Sequence, residues 1–127
     1  MHARRLLMAG AILLALAVIF GAFGAHALKT ILSSARFETY QTAVEYQSWQ
    51  ALGLLAVGLS AERLSTRVWI LAGYLILVGT VIFSGSLYLL IALDMTILGA
   101  ITPIGGLLMI SGWVVFAWSL RRFKSAI

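Results

Sequence analysis

The sequence predicts an all-α, polytopic membrane protein: a single domain, residues 1–127, folded as a bundle of four transmembrane helices. Of its 127 residues, 62% are hydrophobic and 10% are charged, a composition outside the range of soluble globular domains. A membrane-spanning helix needs ~20 mainly apolar residues, so the length of the chain accommodates four spans with short connections between them. The expected spans are residues 6–25, 38–60, 68–93 and 97–120.

The first span follows a short basic tip and is rich in alanine and glycine. Ala17, Gly21 and Ala25 recur at four-residue spacing, which predicts a seam of small residues where another helix packs closely. A cleaved signal peptide is the alternative, because Ala25-His26-Ala27 resembles a cleavage site. The apolar run is long for a signal peptide, so we favour a retained helix.

The second span begins with a polar half after a connection, residues 26–37, in which Ser33 or Ser34 can cap the helix. On a helical wheel the polar residues form two stripes, and one more polar residue lies beyond them. The stripes are Glu38, Gln41, Glu45 and Ser48, then Thr42, Tyr46 and Gln50, with Gln47 beyond them. Polar groups on several sides predict that this half has little exposure to lipid.

The third span carries Phe-Ser-Gly-Ser-Leu-Tyr at residues 83–88. Small and hydroxyl-bearing residues inside an apolar helix are typical of close helix contacts, so we expect Gly85 and Ser86 to lie at such a contact. Thr80, Ser84 and Tyr88 recur every four residues and predict a face that points at other helices.

The fourth span follows a tight turn at Asp94 and contains the sole proline, Pro103. Proline is tolerated in the first turn of a helix, where its missing N–H would have no partner. Gly105 and Gly106 follow it and are further candidates for helix packing.

The basic residues predict the orientation. With both termini in the cytoplasm, seven of the nine Lys and Arg residues lie inside and Lys29 and Arg36 lie outside, as the positive-inside rule requires. The same clustering at span ends argues against a nucleic-acid partner, because no basic patch with interleaved aromatics is formed. The chain has no cysteine, which excludes disulfides and thiolate sites.

Seven polar residues are candidates for an outward-facing polar pocket that binds or transports a small molecule, lipid or ion. His26 is either an interfacial imidazole or a proton relay. Glu45 either pairs with Lys29 or Arg36 in the headgroup zone or acts functionally. The remaining five, which equally fit hydrogen bonding between helices, are Gln47, Gln50, Ser84, Tyr88 and Thr102.

The chain contains five motifs that can be compared with known families: residues 21–28 (Gly-Ala-Phe-Gly-Ala-His-Ala-Leu), 42–47 (Thr-Ala-Val-Glu-Tyr-Gln), 83–88, 102–106 (Thr-Pro-Ile-Gly-Gly) and 112–113 (Gly-Trp). In their order and spacing they resemble the YgdD-like family of small bacterial inner-membrane proteins. The resemblance covers nearly the whole chain. It implies a four-span inner-membrane protein, related to small eukaryotic transmembrane proteins, and supplies no reaction. Many members have a histidine where this chain has Gln50, which weakens any metal or haem site that pairs this position with His26.

No catalytic motif is present, so we expect no enzyme, no cofactor and no metal site. Two function classes remain. The favoured one is a structural, interaction or accessory module of the bacterial inner (plasma) membrane, as a homo-oligomer or within a larger membrane-protein complex, with the lipid bilayer as surroundings. The alternative is the binder or transporter.

Overall fold

The computed structural model describes residues 1–124, which form four long helices. These helices are α1 (His2–Phe23), α2 (Ser34–Ser60), α3 (Val68–Leu93) and α4 (Thr102–Ser119). A π-helical turn, Gly24–Leu28, and a further turn, Lys29–Ile31, extend α1. A short 3-10 turn, Ala61–Arg63, follows α2. Two more lie on either side of α4: Thr96–Ala100 before it and Leu120–Arg122 after it. Residues 125–127, the last three of the predicted domain, lie outside the described part.

Successive helices run in opposite directions and pack side by side. The contact of α3 with α4 is the most extensive, followed by α1 with α2 and then α2 with α3, whereas α1 and α3 touch over a small area. Arg36 and Asp94 form an ion pair of 2.6 Å at one end of the molecule. At the other end, Leu64 and Phe123 form a single antiparallel bridge.

The contact between α3 and α4 depends on glycine. A Cβ atom on Gly105 would lie 2.5 Å from the backbone nitrogen of Phe83 and 2.7 Å from the carbonyl oxygen of Gly79. Small buried residues recur here every seven positions, which is the spacing of a seam between two helices that pack lengthwise. They are Ala72, Gly79 and Ser86 in α3, and Gly105, Gly112 and Ser119 in α4.

The expectation that Gly85 lies at a close helix contact is wrong, because no atom comes within 4 Å of a Cβ built there. The seam passes through Gly79 and Ser86, and Gly85 is turned about 100° away from Ser86. Gly106 is likewise off the seam, with its nearest neighbour, the Phe83 ring, at 3.9 Å. Pro103 lies in the first turn of α4, where its missing N–H leaves no bond unmade.

The seam of α1 also differs from the expected one. The buried small residues are Gly10, Ala17 and Gly24, again seven positions apart, whereas Ala25 is exposed. A Cβ on Gly10 would lie 2.9 Å from the Ala51 carbonyl oxygen. At Gly21 the nearest atom would be 3.6 Å away, which is ordinary contact. Ala17 is therefore the one residue common to the expected and observed seams.

The helix that contains the first span is longer than expected, because residues 26–31, predicted as part of a connection, are helical. Polar residues such as His26 and Lys29 do not interrupt the helix, since its backbone hydrogen bonds are internal. The connection is reduced to Leu32 and Ser33, and Ser33 caps α2 by accepting a hydrogen bond from the backbone nitrogen of Arg36.

Three helical stretches are long and apolar enough to cross a membrane: His2–Ile31, Val68–Leu93 and Thr96–Arg122. Their outward surfaces are apolar, as Val18, Val81 and Leu107 illustrate with exposures of 71, 56 and 66%. The composition of α2 does not meet the same standard, because its first half is polar. The described residues therefore form an all-helical membrane protein with one helix of mixed character.

Candidate functional site

The most buried polar cluster lies where α1, α2 and α3 meet. Gln47, which is 3% exposed, donates a hydrogen bond to the Leu13 carbonyl oxygen at 2.8 Å and accepts one from the Tyr88 hydroxyl at 2.7 Å. Ser84 donates to the Ala43 carbonyl oxygen at 2.8 Å. Each of these bonds joins two different helices, so the cluster ties three helices together.

Two aromatic rings complete this cluster. The Tyr40 hydroxyl donates to the carbonyl oxygen of Phe20, and the Tyr88 ring packs against Phe20 and Tyr40 at centroid distances of 5.0 and 5.7 Å. Every buried side-chain nitrogen and oxygen atom in residues 1–124 has a hydrogen-bond partner. The cluster therefore has no unsatisfied buried group to offer a ligand, and its hydrogen bonds join three helices.

Two further pairs join helices elsewhere. The indole nitrogen of Trp113 in α4 donates to Gln50 in α2 at 2.7 Å. The hydroxyls of Ser86 and Thr102 lie 2.6 Å apart, between α3 and the start of α4. Both pairs are hydrogen bonds between helices. For Gln50 and Thr102 this is the interpretation that the sequence allowed beside a polar pocket.

Glu45 lies on the exposed side of α2. It borders a groove of about 160 Å³ between α1 and α2, whose walls include Gly21, Ala25 and Gln41. Glu38 and Gln41 share this exposed side of the helix. Within residues 1–124 no cation lies at ion-pair distance from Glu45, and Arg36, one of its expected partners, pairs with Asp94 instead. Glu38, Gln41 and Glu45 thus lie on the surface of the bundle and not between its helices.

The seven residues proposed for one outward-facing pocket do not converge. Gln47, Ser84 and Tyr88 border a shallow groove of about 170 Å³ between α1 and α3, and Glu45 borders a different groove. His26 is exposed on the π-helical turn. Gln50 and Thr102 belong to the separate pairs with Trp113 and Ser86. Helix periodicity shows which residues share a face but not which neighbouring helix each face meets.

Two residues of these contacts, Tyr40 and Trp113, were not among the sequence candidates. Their position inside a helix, with a polar atom that needs a partner when buried, was a signal for hydrogen bonding between helices. In residues 1–124 no group of three or more His, Cys, Asp or Glu side chains is placed to hold a metal ion.

Comparison with known proteins assigns the chain to a family. Residues 20–106 match the family described as a protein of unknown function (DUF423). The chain belongs to the DUF423 family. The matched residues of this family include the π-helical turn, the whole of α2 and α3, and the Gly105 contact.

The curated relatives of this DUF423 chain are membrane proteins. UPF0382 membrane protein SH2409 of Staphylococcus haemolyticus is 45% identical over 115 residues, which cover 90% of this chain and 93% of the relative. UPF0382 membrane protein YwdK of Bacillus subtilis is 43% identical over 115 residues, 90% and 94% of the two chains. UPF0382 inner membrane protein YgdD of Escherichia coli is 32% identical over 107 residues, 84% and 82% of the two chains. The resemblance to the YgdD-like family is confirmed. No solved structure matches the chain.

Proposed function

We propose that this DUF423 protein is a four-span protein of the bacterial inner (plasma) membrane, with both termini in the cytoplasm. It acts as a structural or accessory module without enzymatic activity, and it binds another membrane-protein chain through the polar side of α2. The observation that carries the proposal is the exposure of Glu38, Gln41 and Glu45 on a helix that lies between two apolar spans.

The packing of α2 supports its assignment as a fourth span. Tyr40, early in α2, packs against Gly24 near the end of α1, and Gly58, late in α2, packs against Leu7 near the start of α1. The helix therefore runs alongside α1 over most of its length. Because α1 is apolar enough to cross the bilayer, a helix that accompanies it this far crosses the same bilayer.

Charge supports the orientation. Seven of the nine Lys and Arg residues lie at the end that carries the N-terminus and the connection between α2 and α3. Only Lys29 and Arg36 lie at the opposite end. A bias of this size in short segments next to spans favours the cytoplasm for the basic end.

The polar side of α2 supports an interaction role. A carboxylate that faces hydrocarbon is costly and is ordinarily paired, protonated or turned towards protein. Glu45 has no cationic partner in residues 1–124, and the groove beside it is walled partly by Gly21 and Ala25, which admit close approach of another helix. A second copy or a larger membrane-protein complex would cover this side and remove the polar groups from lipid. The seven candidate residues lie in separate places, so no shared pocket supports the alternative of a binder or transporter.

Chemical crosslinking tests the interaction surface, and the absence of cysteine in the chain makes it selective. A Gln41→Cys variant places one thiol on the polar side of α2, and a Leu107→Cys variant places one on the apolar outer side of α4, where Leu107 is 66% exposed. After native membranes are treated with a maleimide–benzophenone reagent and irradiated, we expect a discrete protein adduct for Gln41→Cys and none for Leu107→Cys, because the photoactivated benzophenone inserts into C–H bonds and needs no thiol on the partner. The mass of the adduct distinguishes a second copy from a different protein. Equal crosslinking of both variants, or none at Gln41→Cys, would refute the proposed surface.

A further inference from the structure

The end of the protein that carries the N-terminus has a large excess of positive charge. Of the four Asp and Glu residues of the chain, Glu62 lies at this end, and the other three lie in α2 or at the end of α3. The basic residues at this end are Arg4, Arg5, Arg63, Arg67, Arg121, Arg122 and Lys124. None of them forms an ion pair within residues 1–124, where the salt bridge is Arg36 with Asp94 at the opposite end.

Backbone contacts hold two of the basic segments side by side. Leu64 and Phe123 form an antiparallel bridge, and the backbone nitrogen of Lys124 donates to the Arg63 carbonyl oxygen at 2.9 Å. The Ser65 hydroxyl donates to the carbonyl oxygen of Arg122 at 3.2 Å. The connection between α2 and α3 is thereby fixed against the end of α4. Thr66 and Val68 are thus held beside Arg121 and Arg122 before any ligand binds.

A recess of about 550 Å³ opens between these segments. Its lining consists of Thr66, Val68, Trp118, Ser119, Arg121 and Arg122. Two guanidinium groups and the Thr66 hydroxyl supply hydrogen-bond donors, whereas the Ser119 hydroxyl is already used as a donor to the Phe116 carbonyl oxygen. Val68 and Trp118, at 37 and 64% exposure, form an apolar side of the recess. The Arg121 guanidinium lies over the Trp118 ring, 4.6 Å from its centroid.

We propose that this recess binds the phosphodiester headgroup of an anionic phospholipid. Guanidinium groups match phosphate oxygens through paired, charge-assisted hydrogen bonds, and basic recesses between membrane helices are suited to anionic headgroups. The apolar side formed by Val68 and Trp118 fits the glycerol and the start of the acyl chains. A free phosphate ion would leave this side unused. Within residues 1–124 no carboxylate lies at ion-pair distance from these arginines, and the phospholipid supplies that negative charge. The site does not rest on the proposed function, because bacterial phospholipids reach both faces of the membrane.

Native mass spectrometry of the full chain in detergent micelles tests the site. The chain is titrated with phosphatidylglycerol or with phosphatidylcholine that has the same acyl chains. We expect tighter retention of phosphatidylglycerol by the native chain. The paired substitution Arg121→Gln with Arg122→Gln should weaken this binding about 25-fold, roughly fivefold for each arginine, and leave phosphatidylcholine binding unchanged. Both side chains are exposed, so the fold is expected to tolerate the change.

The matched control is Lys29→Gln with Arg36→Gln, which removes the same two charges from the opposite end. It should reduce phosphatidylglycerol binding less than twofold. Equal retention of the two lipids by the native chain would overturn the proposal without any variant. An equal loss in the control would also overturn it, since net charge alone would then explain the preference. Inorganic phosphate that displaces phosphatidylglycerol at equal concentration would overturn the lipid assignment in favour of a free-anion site.

Discussion

Glycine contacts decide how closely α3 and α4 approach, and they yield a test with a neighbouring control. Gly105→Ala places a methyl group 2.5 Å from the Phe83 backbone nitrogen, a distance that only separation of the helices can relieve. We expect a loss of about 1–3 kcal/mol in unfolding free energy, the usual cost of overpacking. Gly106→Ala should leave the stability unchanged or raise it by up to about 1 kcal/mol, because its nearest neighbour is 3.9 Å away and alanine is the better helix former.

Thermal unfolding in the same detergent would compare the two variants. Similar melting temperatures for Gly105→Ala and Gly106→Ala would contradict the close backbone contact. Gly85→Ala serves as a second control, since nothing lies within 4 Å of that position.

Three helices are tied together through one amide, and the tie can be measured as a coupling energy. Gln47 accepts from Tyr88 of α3 and donates to the Leu13 carbonyl of α1. Gln47→Leu and Tyr88→Phe should each destabilise the protein, and the double variant should cost less than their sum. Hydrogen bonds between membrane helices couple by about 0.6 kcal/mol on average and up to about 1.7 kcal/mol, and we expect a value in this range from a double-mutant cycle.

Gln41→Leu is the control for this cycle, because Gln41 is exposed on the same helix. It should show no coupling with Tyr88→Phe. A coupling of zero between Gln47 and Tyr88 would mean that the bond contributes nothing beyond the packing of the two side chains.

The sequence predicted the helices better than the contacts between them. The bounds of α3 coincide with the predicted 68–93, because a long apolar run between Arg67 and Asp94 leaves little choice. Of the four-residue row expected at Ala17, Gly21 and Ala25, only Ala17 lies in the packed seam, and the close contact expected at Gly85 is not made. Helices that pack lengthwise meet every seven residues, and the matching rows, Gly10 to Gly24 and Gly105 to Ser119, were visible in the sequence at that spacing.

The positions of the candidate site residues were less predictable, since the partner of each side chain depends on which helices become neighbours. Gln47 and Glu45 are two residues apart, yet one is 3% exposed and bonded to two helices while the other faces outward beside α1. A helical wheel shows that their directions differ but gives no neighbour for either direction. Ser84 and Thr102 were both expected at helix contacts, and the structure assigns them to different ones.

The crossing of the membrane by α2 determines the topology of the whole protein, and single cysteines can test it. Thr30 precedes α2 and Glu62 follows it, and both side chains are exposed. If α2 spans the bilayer, Thr30→Cys and Glu62→Cys lie on opposite sides. With both termini in the cytoplasm, a membrane-impermeant maleimide should label Thr30→Cys in intact cells, or in cells whose outer membrane alone has been opened. It should label Glu62→Cys only after the inner membrane is permeabilised.

The alternatives give distinct labelling patterns. If α2 lay along the membrane surface, Thr30→Cys and Glu62→Cys would be labelled together. The reverse pattern, with Glu62→Cys labelled first, would keep four spans but invert the orientation and contradict the positive-inside argument. Because the native chain has no cysteine, each signal reports one position. Two of these labelling patterns place α2 across the bilayer, and only there does the exposed carboxylate of Glu45 require a covering partner within the membrane. The labelling therefore also decides whether the crosslinking result at Gln41 describes an interface inside the bilayer.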